Sequence, residues 1–206
     1  MMKVYYIWDA YCGWCYGFGA VLLPFMKAHP ELDMEVISGG LFDRGASLSQ
    51  YPHLPEANQQ IQELFGVTFG STYEKLLEVG DLVLSSNDAA IGYGLLRDQL
   101  PMDKHLDLAQ DLQMAFYQDG KSLSDVATYT DLAQAYGLEE DSLGQAFLGE
   151  QASGKNHSDI AKARAFGVQS YPTLLIEKNG KIYDLRSGAM TLEELESHYR
   201  LVQQMA

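Results

Sequence analysis

The chain contains two cysteines, three residues apart, within Ile7-Trp8-Asp9-Ala10-Tyr11-Cys12-Gly13-Trp14-Cys15-Tyr16-Gly17-Phe18. Before the pair, Lys3 to Trp8 is β-branched and aromatic and reads as a buried strand. After it, Tyr16 to Ala28 reads as a helix that kinks or ends near Pro24. The pair therefore falls at a strand-to-helix junction, with Cys12 at or just before the first helical turn. The first N–H groups of a helix lack intrahelical partners, and the helix dipole adds partial positive charge there. Both favour a thiolate, so Cys12 is expected to be the exposed, attacking sulfur. Cys15, one turn further in, is expected to be buried and to keep its proton longer. Side chains at i and i+3 share a helix face, so the two sulfurs can close a small disulfide ring. Thiol–disulfide exchange needs this arrangement, with one sulfur to attack and a second to resolve the mixed disulfide.

A C-x-x-C pair can also be half of a zinc site, but a structural site wants four ligands. No further cysteine exists, and His29, His53, His105, His157 and His198 form no ligand-like pair, so no metal is expected. Hydrophobic residues at 47% and charged residues at 20% suit a soluble globular protein. Of the net charge of −14, most falls on residues 49–165, where 18 acidic residues stand against 7 basic ones. Nucleic acid is therefore a poor partner, and the acidic residues read as solvated helix faces. No apolar run is long enough to cross a membrane. Lys3 is followed at once by strand-like sequence instead of the apolar core of a signal peptide. A chain that begins natively at Met1 is expected in the cytoplasm, with both cysteines reduced at rest.

Along the chain, Leu32 to Ile37 reads as a second strand, parallel to the first through a right-handed crossover, ending in a turn at Gly39-Gly40. Leu41 to Leu54 reads as a loop. Helices are expected over 55–65, 72–79, 87–100 behind a Ser85-Ser86 cap, 102–118, 125–136 behind Ser124, and 141–148. Leu106, Leu112, Met114 and Phe116 form an apolar stripe assigned to the core. Ser158 caps a further helix towards Phe166. Thr173 to Lys178 and Lys181 to Leu185 flank Asn179-Gly180, a type I′ hairpin signal. Thr191 and Glu194 form a capping box that opens a last helix, to about Met205. The order is β-α-β, a helical stretch, then α-β-β-α.

Strand, C-x-x-C and helix at the N-terminus resemble the thioredoxin superfamily. Phe166-Gly167-Val168-Gln169-Ser170-Tyr171-Pro172-Thr173, leading into Leu174-Leu175-Ile176, resembles the second part of its signature, a cis proline before a strand. The helical stretch between the two motifs resembles the DsbA-like branch, particularly the FrnE-type disulfide isomerases. The resemblance implies an α/β thioredoxin fold: a central mixed four-stranded sheet with flanking helices, interrupted by a large all-helical insertion. The thioredoxin-like domain would comprise residues 1–48 and 166–206, and the insertion domain 49–165. It also implies that Tyr171-Pro172 stands opposite Cys12 and that the backbone of Tyr171 binds substrate beside the attacking sulfur. Tyr171 is bulkier than the valine or threonine usual there, which leaves both a peptide and a small thiol such as glutathione open as substrates. Gly13-Trp14 is the dipeptide that tunes the redox potential. Trp14 is expected to be exposed on the substrate face, and Tyr11 to be either there or in the core. Asp9 lies under the cysteine pair and accepts the Cys15 proton, or is a solvated strand-end carboxylate.

The function expected is a cytoplasmic protein-disulfide reductase or isomerase. It needs no cofactor beyond its own dithiol, with glutathione as a candidate co-substrate. Its partners would be protein or small-molecule thiols and disulfides, not nucleic acid or membrane. Two alternatives stand beside it. One is a glutathione-dependent transferase or isomerase of the kappa type, whose members carry serine at the position of Cys12. The other is a non-enzymatic DsbA-like adaptor.

Overall fold

The computed structural model describes residues 2–205; Met1 and Ala206, the outer ends of the expected thioredoxin-like domain, lie outside them. The strands β1 (Lys3–Trp8), β2 (Asp33–Ser38), β3 (Thr173–Lys178) and β4 (Lys181–Asp184) form one sheet in the order β2-β1-β3-β4. β1 runs parallel to β2, Lys3 opposite Asp33 and Trp8 opposite Ser38, and antiparallel to β3, Ile7 opposite Thr173. A strand paired on both sides and covered on both faces needs a near-continuous apolar run, which β1 has. The β3–β4 hairpin turns through Asn179 and Gly180 at φ 54° and 75°, the two positive values that a type I′ turn requires.

Helix α1 (Gly13–Ala28) is the crossover between β1 and β2. It does not end at Pro24. Ala20, whose carbonyl loses its helical donor to that proline, is exposed like Pro24 itself, so water can serve the carbonyl. After β2 come α2 (Leu54–Phe65), α3 (Ser71–Val79), α4 (Ser86–Arg97), α5 (His105–Tyr117), α6 (Val126–Ala135) and α7 (Glu140–Ser153). Helix α8 (Ser158–Ala165) leads back to β3, and α9 (Leu192–Gln204) closes the chain behind the Thr191–Glu194 capping box.

Some boundaries differ from the sequence reading. The expected helix over 102–118 is a 3-10 turn, Met102–Lys104, followed by α5. The caps of α6 and α8 are Asp125 and His157 instead of Ser124 and Ser158. In each, a ring or carboxylate acceptor reaches an N–H two residues on, to Ala127 at 3.0 Å and to Asp159 at 3.3 Å.

The two faces of the sheet are covered unequally. Val4, Tyr6, Trp8, Leu174 and Ile176 on one face join α1, α9 and the inserted helices in a continuous buried cluster that includes Tyr93, Phe116, Tyr117 and Phe147. Ile7 and Ile37 on the other face meet Ala163 of α8. Of the expected apolar stripe, Leu112 and Phe116 are buried, but Met114 is 39% exposed on the outer side of α5. No helix among the described residues is long and apolar enough to cross a membrane.

Candidate active site

The exit from β1 is wound tightly. Asp9 accepts the N–H of Cys12 on its carbonyl at 3.0 Å and that of Tyr11 on its carboxylate at 3.0 Å. Cys12 is then the cap of α1: its backbone is extended, and its sulfur accepts the N–H of Cys15 at 3.4 Å. The expected junction geometry is thus present, and both sulfurs are free thiols. Cys12, however, is only 4% exposed, against an expectation of exposure, and Cys15 is fully buried.

Two elements pack beside the turn that carries Cys12. On one side, α2 packs into the notch made by Gly13 and Gly17. A Cβ at Gly13 would lie 2.9 Å from Ile61 Cδ1, and one at Gly17 would lie 2.4 Å from the Phe65 ring. Trp14 follows this packing: it is half-buried, edge-on to Phe65 with ring centroids 6.5 Å apart, instead of standing free on the surface. On the other side lies the cis Tyr171–Pro172 bond, and the Cys12 thiol donates to the Tyr171 carbonyl at 3.6 Å. The Tyr171 ring lies against Gly39, where a Cβ would come within 2.2 Å of it. Its hydroxyl accepts the Gly40 N–H at 3.2 Å. Tyr11 is core, 2% exposed, edge-on to Phe116.

Asp9 is 1% exposed, so it is not a solvated carboxylate. Burial raises its pKa to about 6, against hydrogen bonds from the N–H groups of Leu41 and Tyr11 and from Ser86 that favour the charged form. The Cys15 thiol is pushed well above its ordinary value, first by burial and then by its hydrogen bond with Cys12, with the Asp9 charge adding to both. Tyr6, on the buried face of β1, is also held neutral, mainly by burial; the cysteine pair beside it acts in the same direction.

Helix α5 of the insertion supplies donors that the motifs gave no hint of. Tyr117 Oη donates to the Tyr11 carbonyl at 2.7 Å. Gln113 Nε2 donates to the carbonyls of Asp9 and Cys12, each at 3.4 Å. One signal for Gln113 was available: a polar residue adjoining Leu112 and one turn from Phe116, on the apolar side of its helix. Gly39, read as a simple strand-end turn, is where the Tyr171 ring needs a missing side chain.

Among the described residues no three of histidine, cysteine, aspartate and glutamate gather as a metal site. A cavity of about 500 Å³ lies towards the far end of α1, between Leu23, Met26, Met34 and Leu106, away from the cysteines.

A family model, the DSBA-like thioredoxin domain, matches residues 3–200. The chain belongs to that family. Its fold is shared with a candidate protein disulfide isomerase from Nitrosomonas europaea, at 20% identity and a TM-score of 0.84 over 100% of this chain and 99% of that one. The cytosolic disulfide reductase DsbM from Pseudomonas aeruginosa is 22% identical over 98% of each chain, with a TM-score of 0.76. A second structure of DsbM, with GSH, is 20% identical over 98% of this chain and 100% of that one, with a TM-score of 0.77. No curated protein sequence matches the chain.

Proposed function

We propose that this DsbA-like protein is a disulfide reductase or isomerase in which Cys12 attacks and Cys15 resolves. The observation that carries the proposal is the contact of Cys12 Sγ with the carbonyl before a cis proline, with Cys15 buried one helical turn behind. In the forward direction the Cys12 thiolate attacks one sulfur of a substrate disulfide. A Cys12–substrate disulfide forms, and the other half leaves as a thiolate and takes a proton. Cys15 then gives up its proton and attacks the Cys12 sulfur. The second substrate half leaves as a thiol, and two electrons have passed from the dithiol to the substrate. An external thiol must reduce the resulting Cys12–Cys15 disulfide, and glutathione is the candidate co-substrate. If a second substrate thiol attacks the mixed disulfide before Cys15 does, the outcome is isomerisation.

Asp9 is the acceptor for the Cys15 proton in this scheme. It is buried and ionised above pH about 6, so it is charged at neutral pH, when a protonated Cys15 must be discharged. Gly13 admits α2, Trp14 packs edge-on to Phe65 of that helix, and the Tyr171-Pro172 backbone receives the substrate. A cytoplasmic setting is part of the proposal, in keeping with the cytosolic DsbM likeness.

The test is trapping. Cys15→Ser should accumulate long-lived mixed disulfides, because attack survives and resolution is lost, and Cys12→Ser should trap far fewer. Equal trapping by both variants would sink the division of roles. A glutathione-dependent isomerase is the second reading, favoured by a likeness to 2-hydroxychromene-2-carboxylate isomerase at 15% identity and a TM-score of 0.65. That chemistry has no use for Cys15, so Cys15→Ser would leave it intact.

A further inference from the structure

Helix α5 holds the backbone on both sides of Cys12. The peptide unit joining Tyr11 to Cys12 is tied at each end. Tyr117 Oη donates to its carbonyl at 2.7 Å, and its N–H donates to the Asp9 carbonyl at 3.0 Å. The unit joining Cys12 to Gly13 is tied through its carbonyl, which accepts from the N–H groups of Cys15 at 3.0 Å and Tyr16 at 3.1 Å and from Gln113 Nε2 at 3.4 Å. Gln113 Nε2 also reaches the Asp9 carbonyl at 3.4 Å, so one amide group links the start of the turn to its end. The two peptide planes that meet at the Cys12 α-carbon set its φ and ψ, −84° and 107°. Those angles in turn restrict where the Cβ–Sγ bond can point.

Positions 113 and 117 lie one helical turn apart on the same face of α5, and both side chains are buried. The Tyr117 ring stacks on Tyr16 at 4.8 Å and meets Tyr73 edge-on at 5.1 Å, so packing aims its hydroxyl. A Cβ at Gly13 would stand 3.7 Å from that hydroxyl, directly beside the turn. A role in core packing alone leaves these partners unexplained. Burying an amide costs free energy unless its donors are used, and leucine would fill a core position without that cost. The Tyr11 carbonyl precedes the cap of α1 and lies outside the helical ladder, so its donor has to come from another element.

We propose that Tyr117 and Gln113 are positioning residues that hold Cys12 Sγ in the line of attack of Cys15. The inference rests on the exchange chemistry proposed above and assigns two residues outside the C-x-x-C and cis-proline motifs to its second step. In that step the Cys15 thiolate, its proton having passed to Asp9, attacks Cys12 Sγ. The Cys12–Cys15 bond forms, the bond from Cys12 to the substrate sulfur breaks, and the substrate leaves as a thiolate. The step is intramolecular, so its rate depends on how narrowly the two sulfurs are held. The first attack, on a disulfide free to adjust its approach, depends on that much less.

The probe is DTNB, an aryl disulfide whose released thiolate is coloured, mixed with reduced protein by stopped flow. The wild type should release one equivalent of thiolate at a rate proportional to the DTNB concentration, from attack by Cys12. A second equivalent should follow at a rate independent of that concentration, from resolution by Cys15. Tyr117→Phe and Gln113→Leu should each slow the second phase about 10-fold, the kinetic equivalent of one lost hydrogen bond, and change the first by less than about 2-fold. Tyr93→Phe is the control: it removes a likewise buried hydroxyl, bonded to the His105 carbonyl at 2.9 Å at the other end of α5. It should leave both phases unchanged, and thermal melts should show the variants folded; if one of the two test variants unfolds, the other decides. A second phase that keeps its wild-type rate in a folded test variant overturns the proposal. So does an equal slowing of both phases, or a Tyr93→Phe variant slowed to the same extent, each of which marks a structural role. A wild type that releases a single equivalent removes the exchange chemistry itself and this inference with it, an outcome distinct from the others.

Discussion

Burying Asp9 ties the stability of the reduced protein to pH. Its pKa rises from 3.8 to about 6 on folding, so between those values the native state holds a proton that the unfolded chain has lost. Stability from this group is therefore intact below pH about 4, declines as pH rises, and is fully lost above pH about 6. The magnitude is about 3 kcal/mol. Chemical denaturation of wild type and Asp9→Asn, both reduced, should give curves that diverge by roughly that amount between pH 4 and 7, the wild type falling relative to the variant. Parallel curves would mean that Asp9 is not the buried acid described. The same residue takes the Cys15 proton in the proposed scheme, so resolution of a mixed disulfide should slow below pH 6 in the wild type.

The segment leaving β2 acts as a strap across the site. Five consecutive backbone N–H groups are engaged by five different partners. Ser38 donates to Asp159 Oδ2 at 3.0 Å and Gly39 to the Trp8 carbonyl at 2.6 Å. Gly40 donates to Tyr171 Oη at 3.2 Å, Leu41 to Asp9 Oδ2 at 2.9 Å and Phe42 to Ser86 Oγ at 2.9 Å. The strap thereby joins the cis-proline loop, the acid under the cysteines and the first residue of α4. Its weakest tolerance is at Gly39, where a methyl group would run into the Tyr171 ring. Gly39→Ala should destabilise the protein by about 1–3 kcal/mol, the usual cost of overpacking. In a Tyr171→Val background most of that cost should vanish, because the obstructing ring is gone. A double-mutant cycle by urea unfolding measures the difference. Additive effects would show that the ring does not rest on Gly39 in solution.

Over the molecule as a whole, the helices between β2 and β3 and the sheet with α1 share a continuous core, so the turn that carries the cysteines is held from both. That environment bears on direction. DsbA is strongly oxidising, near about −120 mV, because its reduced form is stabilised, whereas thioredoxin lies near about −270 mV. In this chain both sulfurs are buried, and an acid buried beneath them carries charge at neutral pH. Both features disfavour a thiolate at Cys15. Gly13-Trp14 also lacks the proline-histidine pair of DsbA. The potential should therefore lie on the reducing side of DsbA, with insulin reduction faster than oxidation of reduced substrates. Equilibration in glutathione buffers, read by alkylation and mass spectrometry, measures it; a value at or above that of DsbA would falsify the assignment of direction.

The short-range features were legible from residue order. β1, the junction at Cys12, the Asn179-Gly180 turn and the Thr191–Glu194 box follow from local propensity and from donors and acceptors within four residues, and those rules need no tertiary information. The cis-proline motif and the family were legible through resemblance, 159 residues of separation notwithstanding. What residue order could not carry was the company each group keeps. Whether Asp9 is solvated or buried depends on Leu41 and Ser86, and Cys12 meets Tyr171 only through the fold. Gln113 and Tyr117 reach the active-site turn from a helix about a hundred residues away. The exposure of Met114 has the same origin. Burial, desolvation and the pairing of charges are properties of surfaces brought together by folding, and they decide which of two chemically identical side chains becomes a reactive group.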